Sequence, residues 1–215
     1  MGILPQREHR FKDVIASRQY DLTVVLENVH DPHNIGAVLR TCDSVGISEI
    51  YIIYTEPNLI ARGIEVGYKS SSGSTKWIDI HYYTDLKKGM DQVKEKYTSI
   101  YGTKIQEDSG SLYDLDLTES VALLFGNEHS GISDEAAGYI NSNFLIPQHG
   151  FVRSLNISVA CAVTLYEAQR QRLADGRYGR PFGADKRDHL LYEKYLEQHH
   201  LTKYESSLLR NPRSL

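Results

Sequence analysis

The chain has 215 residues, 40% hydrophobic and 24% charged, which suits one large domain with a real core. No apolar run approaches the ~18 residues of a membrane span, and the opening MGILPQREHRFKD has neither a signal-peptide core nor the Ser or Thr of a myristoylation pattern. The net charge of −4 hides an asymmetry: residues 1–20 and 170–215 carry 14 Lys and Arg against 8 Asp and Glu, whereas residues 21–169 carry 10 against 20.

Residues 5–20 read as a short amphipathic helix, with Phe11, Val14 and Ile15 inward and Arg7, Arg10, Lys12 and Arg18 outward. The unbroken apolar run 22–26, LTVVL, has the pattern of a strand buried in a parallel sheet. The loop ENVHDPH leads into a helix over 34–45, followed by a strand at 49–54. Residues 55–75, Gly- and Ser-rich toward their end, read as a loop with a weak helix inside. A strand at 76–81, a helix at 84–96 and a strand at 98–102 follow. Next come a strand at 121–125, a helix at 133–141, a strand at 143–146 and a helix at 157–172. The tail 185–210 carries a further helical pattern. Alternating strands and helices predict an α/β fold with a mainly parallel sheet flanked by helices.

In the helix 34–45, Ile35, Val38, Leu39, Cys42 and Val45 form one apolar stripe, and Arg40 falls on the opposite face. Arg40 is therefore either a solvated surface residue or a functional one. Asn34 is a good N-cap. The loop GNEHSG at 126–131 follows a strand, and its two glycines let the backbone turn tightly and approach a ligand. Glu128 inside it could be solvated, or could orient an Arg or a ribose hydroxyl. This loop is not a P-loop, because Ile132-Ser133 replaces Lys-Ser/Thr. No GxGxxG follows the first strand, and GxSxG is missing. No cysteine or carboxylate cluster has metal-ligand spacing, so no metal is expected. Cys42 and Cys161 lie in apolar helical patterns and read as buried free thiols of a reducing, cytoplasmic compartment.

The stretch 143–172 organises the rest. Its helix carries no charge between Ser154 and Tyr166 and is apolar on every side. Such a helix is buried all round, which calls for its own sheet on one side and a partner subunit on the other. The preceding loop offers Ser154, Asn156 and free backbone N–H groups, fitting either a polar ligand or a helix cap.

Three segments, ENVHDPHNIGAVLRTCDSVG at 27–46, ALLFGNEHSGIS at 122–133 and IPQHGFVRSLNISVACAVTLYEAQRQR at 146–172, together resemble the three motifs of the SPOUT-class RNA 2′-O-ribose methyltransferases. Within that class they are most similar to the TrmH branch, the tRNA guanosine-18 2′-O-methyltransferases. The resemblance implies a deep trefoil knot at the C-terminal side of the sheet, a homodimer, and S-adenosylmethionine as methyl donor with S-adenosylhomocysteine as product. It implies a catalytic set of Asn34, Arg40, Glu128, Ser154 and Asn156. It implies cofactor loops around Thr103, Gly126 to Glu128, and Ile146 to Leu155. Arg153 departs from the Gln usual at its position, and the first helix is less Arg-dense than in some relatives. The expected organisation is a basic helical extension at 1–20, a methyltransferase core at 21–172 and a second basic helical extension at 173–215. In that frame Arg7, Arg10, Lys12, Arg18, Arg177, Arg180, Lys186 and Arg187 would grip the tRNA backbone. The same chemistry on rRNA or another tRNA position, and a non-catalytic RNA-binding protein on this scaffold, are the alternatives.

Overall fold

The structure is a computed structural model that describes residues 3–104 and 109–200. Seven strands, β1 (Leu22–Glu27), β2 (Glu49–Ile53), β3 (Asp79–Tyr83), β4 (Ser99–Gly102), β5 (Gly110–Ser111), β6 (Val121–Phe125) and β7 (Ser142–Leu145), form one sheet in the order β3-β2-β1-β6-β4-β7-β5. Every pairing is parallel. The apolar runs of β1 and β6 lie side by side at its centre, buried along their whole length, because a parallel sheet is covered on both faces.

Successive strand residues point to opposite faces, and each face has its own cover. Val24 and Leu26 pack with Ile35, Leu39 and Cys42 of α2 (Pro32–Ser44) and with Cys161 and Leu165 of α7 (Ile157–Ala174). Val25 and Leu124 pack on the other face with Met90 and Val93 of α5 (Leu86–Lys96) and with Ala136 of α6 (Asp134–Ala137). A third cluster joins the two ends of the chain. Phe11 and Ile15 of α1 (Pro5–Ala16) meet Leu191 and Tyr195 of α8 (Arg187–His200), with Trp77 packed against them. The region 55–75 holds two short helices, α3 (Pro57–Arg62) and α4 (Tyr68–Ser71). The predicted tail helix beyond residue 200 lies outside the described residues.

Three departures from the predicted elements have local causes. Helix α2 begins at Pro32, capped by Asp31, whose carboxylate accepts from His33 N at 2.8 Å. Asn34 is therefore not the cap, and its amide is free for other partners. Helix α6 stops after Ala137. Asn141 is drawn to the sheet edge, its N–H donating to Ile100 O and its side chain accepting from Ile100 N, both at 2.8 Å. Helix α1 ends at Ala16, so Arg18 leaves the helical wheel that aimed it outward. It is 2% exposed and donates to Tyr195 Oη, Ile47 O and Asp43 Oδ1 at 2.8–2.9 Å. Its expected role as an RNA contact is corrected: it is the buried bond between the two chain ends and the core.

Arg172, near the end of α7, has no exposed surface. Its guanidinium donates to Leu117 O, Glu119 O, Gln19 Oε1, and both Asp21 O and Asp21 Oδ1. Arg172→Ala leaves these buried acceptors unpaired and should cost about 3–5 kcal/mol of unfolding free energy, the usual consequence of breaking a buried ion pair. Urea unfolding measures it. Arg170→Ala, which removes a neighbouring guanidinium that is mostly exposed, should leave the midpoint nearly unchanged.

Candidate active site

Three loops leave the carboxyl ends of neighbouring strands and converge: Thr103 and Lys104 after β4, Gly126 to Gly131 after β6, and Ile146 to Ile157 after β7. They enclose a cleft of about 640 Å³. Ligands of parallel α/β sheets bind at this end of the strands. The wall is apolar at Phe125, Phe144, Ile146, Leu155, Ile157 and Ala160, and polar at Thr103, Glu128, Gln148, Ser154 and Asn156.

The loop after β6 owes its shape to a close backbone approach. Asn127 N donates to Gly131 O at 3.0 Å and Gly131 N to Asn127 O at 2.9 Å. A Cβ on Gly126 would stand 2.2 Å from the carbonyl carbon of Gly131, so only glycine fits. Gly131 itself has φ +70°. The Asn127 side chain accepts from His129 N (2.7 Å) and Ser130 N (3.1 Å) and donates to Asn28 O (2.8 Å). With the loop held from inside by Asn127, Glu128 faces outward.

A directional hydrogen-bond chain runs along the rim of the cleft. Glu128 Oε1 accepts from Asn34 Nδ2 at 2.9 Å, Asn34 Oδ1 accepts from Asn156 Nδ2 at 3.1 Å, and Asn156 Oδ1 accepts from Ser158 N at 2.9 Å. Both ends fix its direction. An ionised carboxylate only accepts and a backbone N–H only donates, so each amide has one possible orientation. Asn156 is thereby the cap of α7 and a link to α2 at once. Glu128 Oε2 also accepts from His30 N at 3.4 Å. Residues 34, 128 and 156, far apart in the chain, thus form one unit.

Of the sequence-predicted residues, Thr103, Gly126, Glu128, Ile146, Ser154, Leu155 and Asn156 line this one cleft, and Asn34 is bonded to two of them. Arg40 is not brought in: it is exposed on the outer face of α2, away from the cleft of its own chain. The expected RNA contacts divide. Arg7, Arg10 and Lys186 are exposed. Lys12 pairs with Glu8 at 2.7 Å, Arg177 with Asp175 and Asp21 at 2.7 and 3.0 Å, and Arg180 with both oxygens of the buried Asp188. Arg187 stacks over Tyr20 and donates to Asp185, and that hydrogen bond holds the Asp185 carboxyl down at about 2. Among the described residues, Lys12, Arg18, Arg177, Arg180 and Arg187 are thus paired within the fold, whereas Arg7, Arg10 and Lys186 face outward. Lys104, Asn127 and Gln148 also line the cleft; they fall at or within the predicted cofactor loops but were not singled out by the sequence. The signal for Asn127 was an Asx-turn residue beside a glycine; Gln148 sits inside a quoted segment with no pattern to single it out.

The profile of a family described as the SpoU rRNA Methylase family matches residues 21–166. The chain is 42% identical over 190 residues to a Thermus thermophilus protein named tRNA (guanosine(18)-2′-O)-methyltransferase, covering 88% of this chain and 93% of that one. Among solved structures it is similar to the A. aeolicus TrmH/SpoU tRNA modifying enzyme, with TM-score 0.82, 31% identity, and 92% and 98% of the two chains covered. It is also similar to an AdoMet-bound rRNA methyltransferase from Sinorhizobium meliloti, with TM-score 0.60, 28% identity, and 74% and 59% covered.

Asn34→Asp tests the chain of hydrogen bonds. It replaces a donor with a second carboxylate facing Glu128, so stability should fall by about 1–3 kcal/mol near neutral pH. Thermal melts of the variant against wild type near neutral pH measure the loss, and an unchanged melting temperature would count against a direct Glu128 contact.

Proposed function

The chain belongs to the SpoU rRNA methylase family, and on that premise we propose that it transfers a methyl group from S-adenosylmethionine to the ribose 2′-hydroxyl of guanosine 18 in tRNA. S-adenosylhomocysteine is the second product. The observation that carries this reading is the Glu128–Asn34–Asn156 chain at the rim of the cleft, joining residues of three separate sequence motifs. The names of the relatives support the tRNA substrate. Methyl transfer to total tRNA, followed by nucleoside mapping, tests it. A methylated ribose in the D-loop is expected; methylation confined to rRNA or to another tRNA position would redirect the substrate and leave the chemistry standing.

The residues present suit the methyl donor. The cleft has an apolar wall for a flat base, a polar rim, and one buried oxygen, Gln148 Oε1, without a hydrogen-bond partner among the described residues. Thr103, Gly126, Ile146 and Leu155 would hold the donor, which when bound supplies an electrophilic methyl on a sulfonium. The chain's own task is to hold the ribose oxygen at near-attack distance and to manage its proton. A guanidinium is a poor base, keeping its proton above pH ~12, so Arg40 acts as the stabiliser of the developing alkoxide. Glu128 orients that guanidinium or the ribose, while Ser154 and Asn156 shape the loop around the reacting groups.

The reading includes a homodimer, with each active site drawing on both subunits. Two observations support it. Val159, Tyr166 and Leu173 of α7 are 46%, 52% and 56% exposed and recur every seven residues, making an uncovered stripe opposite the buried one. Arg40 flanks that stripe, one turn before Ser44, whose hydroxyl lies 3.4 Å from Tyr166 Oη. The reading also includes a trefoil knot in the C-terminal part of a core spanning 21–172, extensions at 1–20 and 173–215, and a cytoplasmic location. The separate α1–α8 cluster supports the extensions, and the two free buried cysteines support the location. Among the described residues no helix is long and apolar enough to cross a membrane.

Arg40→Ala should cost roughly 10²-fold or more in single-turnover methylation, the weight of one charge-stabilising group, with little loss of stability and normal cofactor binding. Asn156→Ala should lose cofactor affinity as well as rate. Mixed dimers of the two variants separate the arrangements: a site shared between subunits regains one intact copy per heterodimer, whereas a site within one chain regains none. Restored activity is expected, and a near-normal rate for Arg40→Ala alone would return that residue to the solvated surface.

The terminal segments contact the tRNA backbone through their outward cations Arg7, Arg10 and Lys186. Replacing these three with alanine should weaken tRNA binding and flatten its log–log salt dependence by roughly 0.7–0.9 per lost phosphate contact. S-adenosylhomocysteine affinity should not change. An unaltered salt slope would remove the terminal segments from the RNA interface.

A further inference from the structure

The cleft wall holds an amide that the reading above leaves without a task. Gln148 follows Pro147 on the segment leaving β7 and lines the cleft together with Phe144 and Ile146. Phe144, Leu145 and Ile146 line the cleft just before Gln148 in the chain, so the amide adjoins an apolar edge. Its Oε1 is buried and has no hydrogen-bond partner among the described residues. A buried amide oxygen without a donor carries its full desolvation cost. An orphan of this kind on the wall of a ligand cleft is relieved when a ligand brings the donor.

We propose that the Gln148 side chain reads the adenine of the methyl donor. Its oxygen would accept from the exocyclic N6 amino group while its NH₂ donates to N7. The carboxamides of Asn127 and Asn156 in the same lining are engaged within the fold, which leaves that of Gln148 to present an acceptor and a donor side by side, the pattern complementary to that edge of adenine. The apolar neighbours Phe144 and Ile146 suit the flat faces of a base. The charged amino-acid end of the donor matches the cleft's other groups better, among them Lys104 and Ser154. The inference rests on S-adenosylmethionine being the ligand of the cleft, and it adds base selectivity to that reading.

The test is calorimetric titration of S-adenosylhomocysteine and of its hypoxanthine counterpart, S-inosylhomocysteine, into wild type and Gln148→Leu. The second ligand keeps N7 but has an oxo group in place of the 6-amino group. Wild type should prefer the adenine compound by roughly tenfold or more, as sites built to hydrogen-bond a ligand group do. Gln148→Leu should lose about tenfold for the adenine compound and less than about twofold for the other, so that discrimination collapses. The melting temperature of the ligand-free variant should equal or exceed that of wild type, because only an unpaired buried oxygen is removed; this separates loss of reading from loss of fold. Unchanged affinity, or equal losses for both ligands at an unchanged melting temperature, overturns the adenine contact. Wild type that binds neither compound overturns the cofactor reading itself, a result distinct from either of these.

Discussion

A buried guanidinium must find acceptors wherever the chain can bring them, because leaving it unpaired costs several kcal/mol. Arg172 meets this demand with acceptors at the start of the two central strands. Asp21 and Gln19 immediately precede β1, and Leu117 and Glu119 lead into β6. The adjacent Val121 N donates to Asp21 O, so the same few residues also begin the β1–β6 ladder. The far end of α7 carries Asn156, bonded to Asn34 and through it to Glu128. One helix is thus tied to the amino ends of the central strands by a charge and to the loops at their carboxyl ends by an amide. The cleft exists because α7 cannot slide along the sheet without breaking one of these two attachments.

Near the end of α7, EAQRQR at 167–172 takes part in that arrangement. Glu167 is buried on α7 and accepts from Arg170 and Gln171. Gln171 in turn accepts from Leu117 N and donates to Leu115 O. Gln171 and Arg172 fasten the strand-leading loop 115–119, on the side of the sheet away from the chemistry. The end of this helix is, in physical terms, a structural lock.

The sheet and its two covering layers were legible because unbroken apolar runs such as 22–26 and 121–125 have few other ways to be buried, and because the stripe on α2 is unambiguous. Helix ends were less legible. Asp31 outcompeted Asn34 as a cap, and Asn141 ended α6 from a distance, since both outcomes depend on partners remote in sequence. Arg18 shows the limit of a wheel drawn past a helix end: once the helix stopped at Ala16, nothing local could indicate that the side chain turns inward to Tyr195. The same holds for the charge asymmetry. Counting charges by segment revealed basic ends but could not see that Arg177, Arg180 and Arg187 are answered by Asp21, Asp188 and Asp185. At the site, residue types were readable while their connectivity was not. The orientation of the Asn34 amide follows only once Glu128 and Asn156 stand on either side of it.

Within one chain the two halves of the proposed chemistry are apart. The cleft that suits the methyl donor opens at the carboxyl ends of β4, β6 and β7, while Arg40 lies exposed on the outer face of α2. Bringing Arg40 into its own cleft would require α2 to rotate, burying His33 and Arg40 and exposing Ile35, Leu39 and Cys42, all of which have no exposed surface. Uncovering three such side chains would cost roughly 5–8 kcal/mol by their apolar area, on the scale of the whole stability of a domain. A second copy of the chain, covering the stripe Val159, Tyr166 and Leu173, asks for no such rearrangement. In the proposed dimer it would bury apolar surface that is already exposed and let an Arg beside that stripe act on a substrate held by its neighbour. The rigidity that fixes the cleft within each chain is therefore what makes assembly the cheaper way to complete it.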